Sequence, residues 1–552
     1  MAHLDARRAA QTRLFLGYAL RGIKEMIKGY FVPVLHSHLP FVKHPEYGYF
    51  LEEHWFFEAI VESYIPLLMN LKKLEDEGVP FRLTVSVTPP LAEMMNDTHL
   101  QEKFLSYIDR LLELCSKEKV RLQGDERFYP IACYYDERLH RIKDFYTGFL
   151  NYNLLNGYRH FAATGVLEII TCTATHGFLP LLSENPEAVE VQIKLAVQAH
   201  TYHFGRPPQG IWLAECAYYE GVDEVLARHG IRFFFLEAHG LIYGKPTPKY
   251  GVFAPVYTPS GVAVFGRDPE SSKQVWSSKE GYPGDVHYRD FYKDIGYELD
   301  HDYIAPYICP DGTRVFTGLK YWRVTGPSDW KEPYDAVAAF EKTKEHAANF
   351  HFNRAKQFEH LSAHMDRTPM VVSPYDAELF GHWWFEGPDF LYHLFKEIDK
   401  HQVFKAATPP EILRLYSTNQ VIRPTPSSWG DGGYYDVWLN SGNDWIYRHL
   451  HHMASKMVEL ARLYQFTNDG LKIRLLNQMA RELLLAQSSD WAFLMTTRTA
   501  VEYSVKRTRE HIANFNKLAE MVEGEEEVDR DFLAQLERRD SIFPFLDFRI
   551  YV

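Results

Sequence analysis

The sequence predicts an α/β fold, a parallel barrel or open sheet, followed by an all-helical C-terminal region. Two observations predict it. Short apolar, β-branched or aromatic runs recur through the first 375 residues, with helical patterns between many of them. From about residue 400 the strand-like runs stop and long three-or-four-residue periodicities take over. The length of 552 residues agrees, because one simple core does not grow that large.

The predicted strands are Phe31–Leu35, Phe81–Val87, Leu167–Thr173, Gly210–Ala214, Ile231–Leu236, Val262–Gly266 and Met370–Ser373. Phe56, Ile60, Tyr64, Leu67 and Leu71 exemplify the intervening helices, spaced by three or four. Strands that alternate with helices form parallel sheets. Three apolar stripes mark the helical region: Met453, Met457, Leu460 and Tyr464; Leu475, Met479, Leu483 and Ala486; Val501, Val505, Ile512 and Phe515. Between the two parts lies a Pro/Ser/Gly-rich stretch, Pro424–Gly433, which composition alone reads as a linker with a tryptophan in it. Residues 1–25 read as an N-terminal extension outside the core, because Met26 stands just before the first strong strand. The acidic run Glu523–Glu527 reads as solvated surface.

Composition excludes several classes. A net charge of −13 argues against nucleic acid or an anionic membrane surface as the main partner. No apolar stretch is long enough to span a bilayer. The apolar run Leu14–Leu20 is too short for a signal peptide and is followed by Arg21 without a small-residue cleavage site. Cys115, Cys133, Cys172, Cys216 and Cys309 are scattered, which fits a reducing, cytoplasmic setting and offers no zinc-thiolate site.

Catalytic groups of parallel α/β folds sit at the carboxyl ends of strands. His36 and His38 follow FVPVL, His176 follows IITCTAT, Glu215 follows GIWLA and Asp376 follows MVVSPY. Glu215 lies among Trp212, Leu213, Ala214, Cys216 and Tyr218; such a carboxyl is partly desolvated, which raises its pKa unless donors hold the charge. A buried structural Glu with a cationic partner is the plainer alternative. Asp376 opens a segment dense in Tyr, Trp and His, with Glu378 as a competing acid. Two carboxyls flanking a glycosidic bond suffice for hydrolysis or transfer, and a retaining reaction places them about 5–5.5 Å apart. The same residues allow a rival reading. His36 and His38 point to one side of a strand and, with His176 and Asp376, would make a zinc-dependent amidohydrolase or polysaccharide deacetylase. A non-catalytic glucan-binding protein would need the aromatic residues but not Glu215 and Asp376.

The ordered set HSHLP, ATHGFLP, GIWLAECAY, SPYDAELFGHWWFEGP and SSWGDGGYYDVWLN resembles glycoside hydrolase family 57, above all its 1,4-α-glucan branching enzyme group. The resemblance runs from about Met26 to the C-terminus. It implies an incomplete (β/α)7 barrel over residues 26–400 with a small inserted segment, and a helical domain over 401–552 that closes one side of the cleft. It implies a retaining reaction on an α-1,4-glucan with neither metal nor organic cofactor, in glycogen biosynthesis. Glu215 matches the family nucleophile and Asp376 the general acid/base. His36, His38 and His176 match positions lining the subsite where the sugar is attacked. Arg267, Gly284, Trp429 and Asp490 match substrate-binding positions, Trp276 a cleft aromatic, and Trp438 is a further aromatic candidate. Trp429 then reaches into the cleft, so Pro424–Gly433 is more than a linker. In one respect the sequence departs from the pattern. Branching enzymes of this group carry a long mobile loop after the nucleophile strand, with a tyrosine that reaches the cleft; the corresponding stretch, His239–Gly251, is short, with Tyr243 and Tyr250 as substitutes. A lid that excludes water favours transfer over hydrolysis. Branching is therefore the expected activity, with α-amylase-type hydrolysis as the alternative.

Overall fold

The computed structural model describes residues 27–277, 280–326, 328 and 330–552. The extension expected over residues 1–25 lies outside the described residues.

Strands form at all seven predicted places: β1 (Tyr30–Ser37), β2 (Leu83–Val87), β3 (Leu167–Cys172), β4 (Gly210–Trp212), β5 (Phe233–Leu236), β7 (Ala263–Gly266) and β8 (Met370–Asp376). Two further strands of two residues each are new: β6 (Val256–Tyr257), antiparallel to β7, and β9 (Lys405–Ala406), parallel to β1. The spatial order is β6-β7-β5-β4-β3-β2-β1-β8, with β9 beside β1. Apart from β6, every pairing is parallel. The sheet curls until its ends touch: Arg267 bridges Val372, and the Asp268 N–H donates to the Val372 carbonyl at 2.9 Å. A single bridge between β7 and β8 closes the ring, which is the incomplete barrel expected of the family. Pro33 has no N–H to give. It falls between the β9 pairing at Tyr30–Phe31 and the β2 pairing that begins at Val34.

Strand residues point alternately inward and outward, so a barrel has two cores. Val32, Val34, Ile170, Cys172, Trp212, Phe233, Phe235, Ala263, Phe265, Met370 and Val372 form the inner cluster. Phe31, Leu35, Val85, Ile169, Ile211, Phe234, Val264 and Val371 belong to the larger outer cluster under the helices. Because both faces are buried, the strands read as continuous apolar runs, which is why the sequence shows them so plainly. The same count of two places His36, Arg267 and Asp376 on the inward side, one step beyond the apolar layers.

The helical region comprises Trp445–Leu463, Gly470–Ala486, Ser489–Thr497, Val501–Glu523 and Arg530–Arg539. The first two expected stripes are its core, with Tyr464 only half-buried at the end of its helix. Of the third, Ile512 and Phe515 are buried as expected, but Val501 is exposed and Val505 half-buried, while Tyr503, Arg507 and His511 are buried. Arg507 and His511 turn inward because Asp540 and Glu482 meet them at 3.0 and 2.7 Å. The region docks on the barrel where β3 ends. Ser488 bridges Gly177, the Thr175 hydroxyl donates to the Leu484 carbonyl at 2.5 Å, and Gln192 donates to Gln487 at 2.9 Å. Residues 421–429 first run back along the barrel, with bridges from Val421 to Tyr257, Arg423 to Lys245 and Ser427 to Tyr218.

Candidate active site

Glu215 sits in the turn that leaves β4. Its φ is 62° and that of Cys216 is 52°, left-handed values that cost non-glycine residues on the order of 1–3 kcal/mol each. The reversal is held by the Cys216 N–H on the Leu213 carbonyl (2.8 Å) and the Ala217 N–H on the Ala214 carbonyl (3.0 Å). The Glu215 carboxylate accepts from the Trp429 indole N–H at 2.8 Å through Oε2 and from the Ser489 hydroxyl at 3.1 Å through Oε1. The Trp429 backbone N–H donates to the Glu215 carbonyl at 3.0 Å, so the indole is anchored at both ends. Burial pushes the Glu215 carboxyl up to about 7, against the pull of the Trp429 and Ser489 donors and of His38.

Asp376 is the last residue of β8, in register with His36 of β1. Among the described residues no side chain donates a hydrogen bond to it. Burial, then the Glu378 and Glu215 carboxylates, push its pKa well above the usual carboxylate range, with Arg267 opposing. Glu378 accepts from the Tyr64 hydroxyl at 2.5 Å and the His38 N–H at 3.2 Å. A carboxyl already occupied as an acceptor is a poor rival to Asp376 as proton donor.

The three histidines form a stack beside Glu215. His38 and His176 lie face to face with ring centroids 3.6 Å apart, and His36 packs between His176 (5.2 Å) and Trp212 (5.1 Å). Burial and repulsion from neighbouring imidazoles hold His36 and His176 well below the ordinary imidazole pKa. Burial works the same way on His38, but Asp490, with both carboxylate oxygens at 3.0 Å, raises its pKa above the ordinary value. His38 and Asp490 are thus an ion pair that joins barrel to helical region. The atoms of His38, His176 and Asp490 lie close enough together to hold an ion, as do those of His36, Cys172 and His176. Every ring nitrogen of the three histidines is nonetheless engaged: His36 with Ser86 and His176, His38 with Thr88 and Asp490, His176 with His36 and Ser489. Asp376, needed by the zinc-hydrolase reading, belongs to neither group.

Arg267 donates to Glu237 and to the Ser272 hydroxyl, both at 2.8 Å, and its guanidinium lies 5.8 Å from the Trp429 ring. Trp276 meets Trp429 edge-on at 6.4 Å and is 36% exposed. These residues line an open cavity of about 360 Å³ together with Glu237, His239 and Gly433. The structure therefore brings together Glu215, Asp376, His36, His38, His176, Arg267, Trp276, Trp429 and Asp490. It leaves out two expected residues. Trp438 is buried, stacked on Phe178 at 4.6 Å, and supports the loop at Gly430 from beneath; it offers no open face to a sugar. Gly284 is the exposed last residue of the turn Tyr282–Gly284, whose Tyr282 stacks on His346, and among the described residues no hydrogen bond links it to the Glu215–Asp376 cluster. Sequence reasoning missed Ser489, Glu237 and Tyr64. Ser489 directly precedes Asp490 in the sequence, and that neighbour is the only hint of it.

The family model for glycosyl hydrolase family 57 matches residues 32–424, and the one for the 1,4-alpha-glucan branching enzyme C-terminal region matches residues 449–551. The chain belongs to glycosyl hydrolase family 57. Within this family it is similar to a 1,4-alpha-glucan branching enzyme of Thermococcus kodakarensis, 34% identical over 94% of this chain and 78% of the relative. The alpha-amylase AmyC from Thermotoga maritima superposes with a TM-score of 0.89 at 44% identity, covering 95% of this chain and 99% of that one. The family 57 branching enzyme from Pyrococcus horikoshii superposes with a TM-score of 0.86 at 34% identity, covering 95% and 97%.

The stretch His239–Gly251, expected from the resemblance to be the counterpart of the lid, is pinned. Residues Ala238–Ile242 form one helical turn, the His239 ring donates to the Gly433 carbonyl at 2.7 Å, and Lys245 bridges Arg423. Tyr250 donates to Asp366, which precedes β8 and so lies at the opposite end of that strand from Asp376. Tyr250 is thereby excluded as the cleft tyrosine. Tyr243 is 63% exposed.

Proposed function

We propose that this chain is a retaining α-glucan-active enzyme that cleaves α-1,4 links and transfers the released chain to a sugar 6-hydroxyl, forming α-1,6 branches. The observation that carries the reading is the unequal treatment of two half-buried carboxyls at the ends of β4 and β8. Among the described residues, Glu215 receives two side-chain donors and Asp376 none. Donors favour the ionised form a nucleophile needs, and burial beside like charge favours the protonated form an acid needs. Glu215 attacks the anomeric carbon while Asp376 gives its proton to the glycosidic oxygen. The carbon–oxygen bond breaks, one glucan leaves as an alcohol, and the other is esterified to Glu215. The Asp376 carboxylate then takes the proton of an acceptor 6-hydroxyl, whose oxygen displaces Glu215. Two inversions leave the configuration unchanged. His36, His38, His176, Arg267, Trp276, Trp429 and Asp490 position the donor chain.

Family membership, the match of residues 449–551 and the 34% identical branching enzyme support transfer. Glycogen biosynthesis in the cytoplasm is the setting that fits this chemistry. All five cysteines are free, and no described helix is long and apolar enough to cross a membrane. A second reading, α-amylase-type hydrolysis with water as acceptor, is favoured by the short lid segment and by the 44% identity to an α-amylase. One experiment separates them: amylose incubated with the purified protein, followed by proton NMR and a reducing-end assay. New α-1,6 signals with few new reducing ends establish branching. Many reducing ends without α-1,6 signals establish the amylase, and neither product rejects both.

A further inference from the structure

We propose that Ser489, supplied by the helical region, is a positioning residue that sets the direction of a hydrogen-bond chain ending on Glu215. The proposal rests on the reading of Glu215 as nucleophile. Four links run in series: Ser86 Oγ to His36 Nδ1 (3.2 Å), His36 Nε2 to His176 Nε2 (3.1 Å), His176 Nδ1 to Ser489 Oγ (2.8 Å), and Ser489 Oγ to Glu215 Oε1 (3.1 Å). Each link holds one hydrogen, and a serine hydroxyl has one to give. With Glu215 ionised, the last link must use the Ser489 hydrogen. Ser489 can then only accept from His176, so His176 carries its proton on Nδ1. Burial keeps both imidazoles neutral, so His176 Nε2 is bare and accepts from His36 Nε2–H. His36 Nδ1 is bare in turn and accepts from Ser86. One pattern satisfies all four links. The reverse pattern requires a proton on Glu215. While Glu215 is ionised, the chain therefore runs one way and fixes the tautomer of both histidines.

Main-chain contacts hold Ser489 independently of its hydroxyl. Its N–H donates to the His176 carbonyl at 3.0 Å, and Ser488 bridges Gly177. His176 adopts a φ of 58° to meet it. The other polar and charged groups facing Glu215 are Trp429, His38, Asp490 and Asp376. All remain when the hydroxyl is removed.

The test compares Ser489→Ala with Ser489→Thr on a maltooligosaccharide. Loss of a hydrogen bond to a charged group should lower kcat/KM by roughly 10- to 100-fold in the alanine variant. The acid limb of its pH profile should move up by about one unit, because the ionised form loses a donor. Threonine, which keeps the hydroxyl, should restore both. A loss that is equal at every pH, with the limb unmoved, overturns the proposal and leaves Glu215 as nucleophile untouched. Neutron diffraction of the unsubstituted protein, at a pH well above the Glu215 pKa, reads the hydrogens directly and decides the matter even if the alanine variant does not fold. A hydrogen on His176 Nδ1 with a bare Nε2 is expected. A hydrogen on His176 Nε2 overturns the proposal whatever the activity, whereas an active Glu215→Gln variant sinks the nucleophile assignment alone.

Discussion

The ends of β4 and β8 each present one half-buried carboxyl, yet they surround it differently. At β4, two pieces of chain from beyond the barrel strands, the loop carrying Trp429 and the helix start carrying Ser489, reach over to donate to Glu215. At β8, Asp376 has no side-chain donor among the described residues, and a second carboxylate, Glu378, stands two residues away with its own donors from Tyr64 and His38. Burial raises the pKa of both groups; long-range donors restrain the rise at Glu215, whereas local like charge adds to it at Asp376. The two groups also sense each other, so the limbs of the pH profile belong to the pair. With Glu215 near 7 and Asp376 well above its usual range, kcat/KM should be bell-shaped, with its acid limb near pH 7.

The largest effect should come from removing the charge on the β4 side. Glu215→Gln should lower turnover by about ten-thousandfold or more, since an amide is a poor nucleophile. Near-normal single-turnover cleavage of amylose by a variant with unchanged circular dichroism would break the comparison outright. Asp376→Asn should cost roughly 10²- to 10⁴-fold on glucan. The loss should be much smaller on a glucoside with an activated leaving group, and equal losses on both substrates would remove Asp376 from the acid role. Trp429→Phe keeps the ring but deletes one donor to Glu215, so kcat/KM should fall about tenfold and the acid limb should rise. The smallest effect sharpens the β8 side. Glu378→Gln removes a charge that raises the Asp376 pKa, so the protonated acid is lost at lower pH and the alkaline limb should shift down by about one unit or less. An upward shift in a pH–rate titration would show that Glu378 does not act on Asp376 through its charge.

The barrel was legible because its strands are buried on both faces. Runs such as Phe233–Leu236 and Ala263–Gly266 carry no polar residue to blur them. The two-residue strands β6 and β9 have no pattern to find. The first half of the third helical stripe slipped, though Ile512 and Phe515 are buried, because Arg507 and His511, polar by type, are buried against Asp540 and Glu482. Residues that follow strands, such as Asp376, announce themselves by position. Ser489 does not, since a lone serine lies 274 positions from its carboxylate partner and only folding joins them. Trp438 misled for the opposite reason: tryptophan is the expected residue of a sugar platform, but here Phe178 covers its face.

The backbone bridge between Lys245 and Arg423 has a kinetic consequence. On the proposed mechanism, a segment held to its neighbour in this way leaves the glucosyl ester open to both sugar hydroxyls and bulk water, so that acceptor concentration weighs more than gating. The ratio of branches formed to chains hydrolysed then becomes a property of the medium, rising where glucan is dense, as at the surface of a growing polymer particle, and falling in dilute solution.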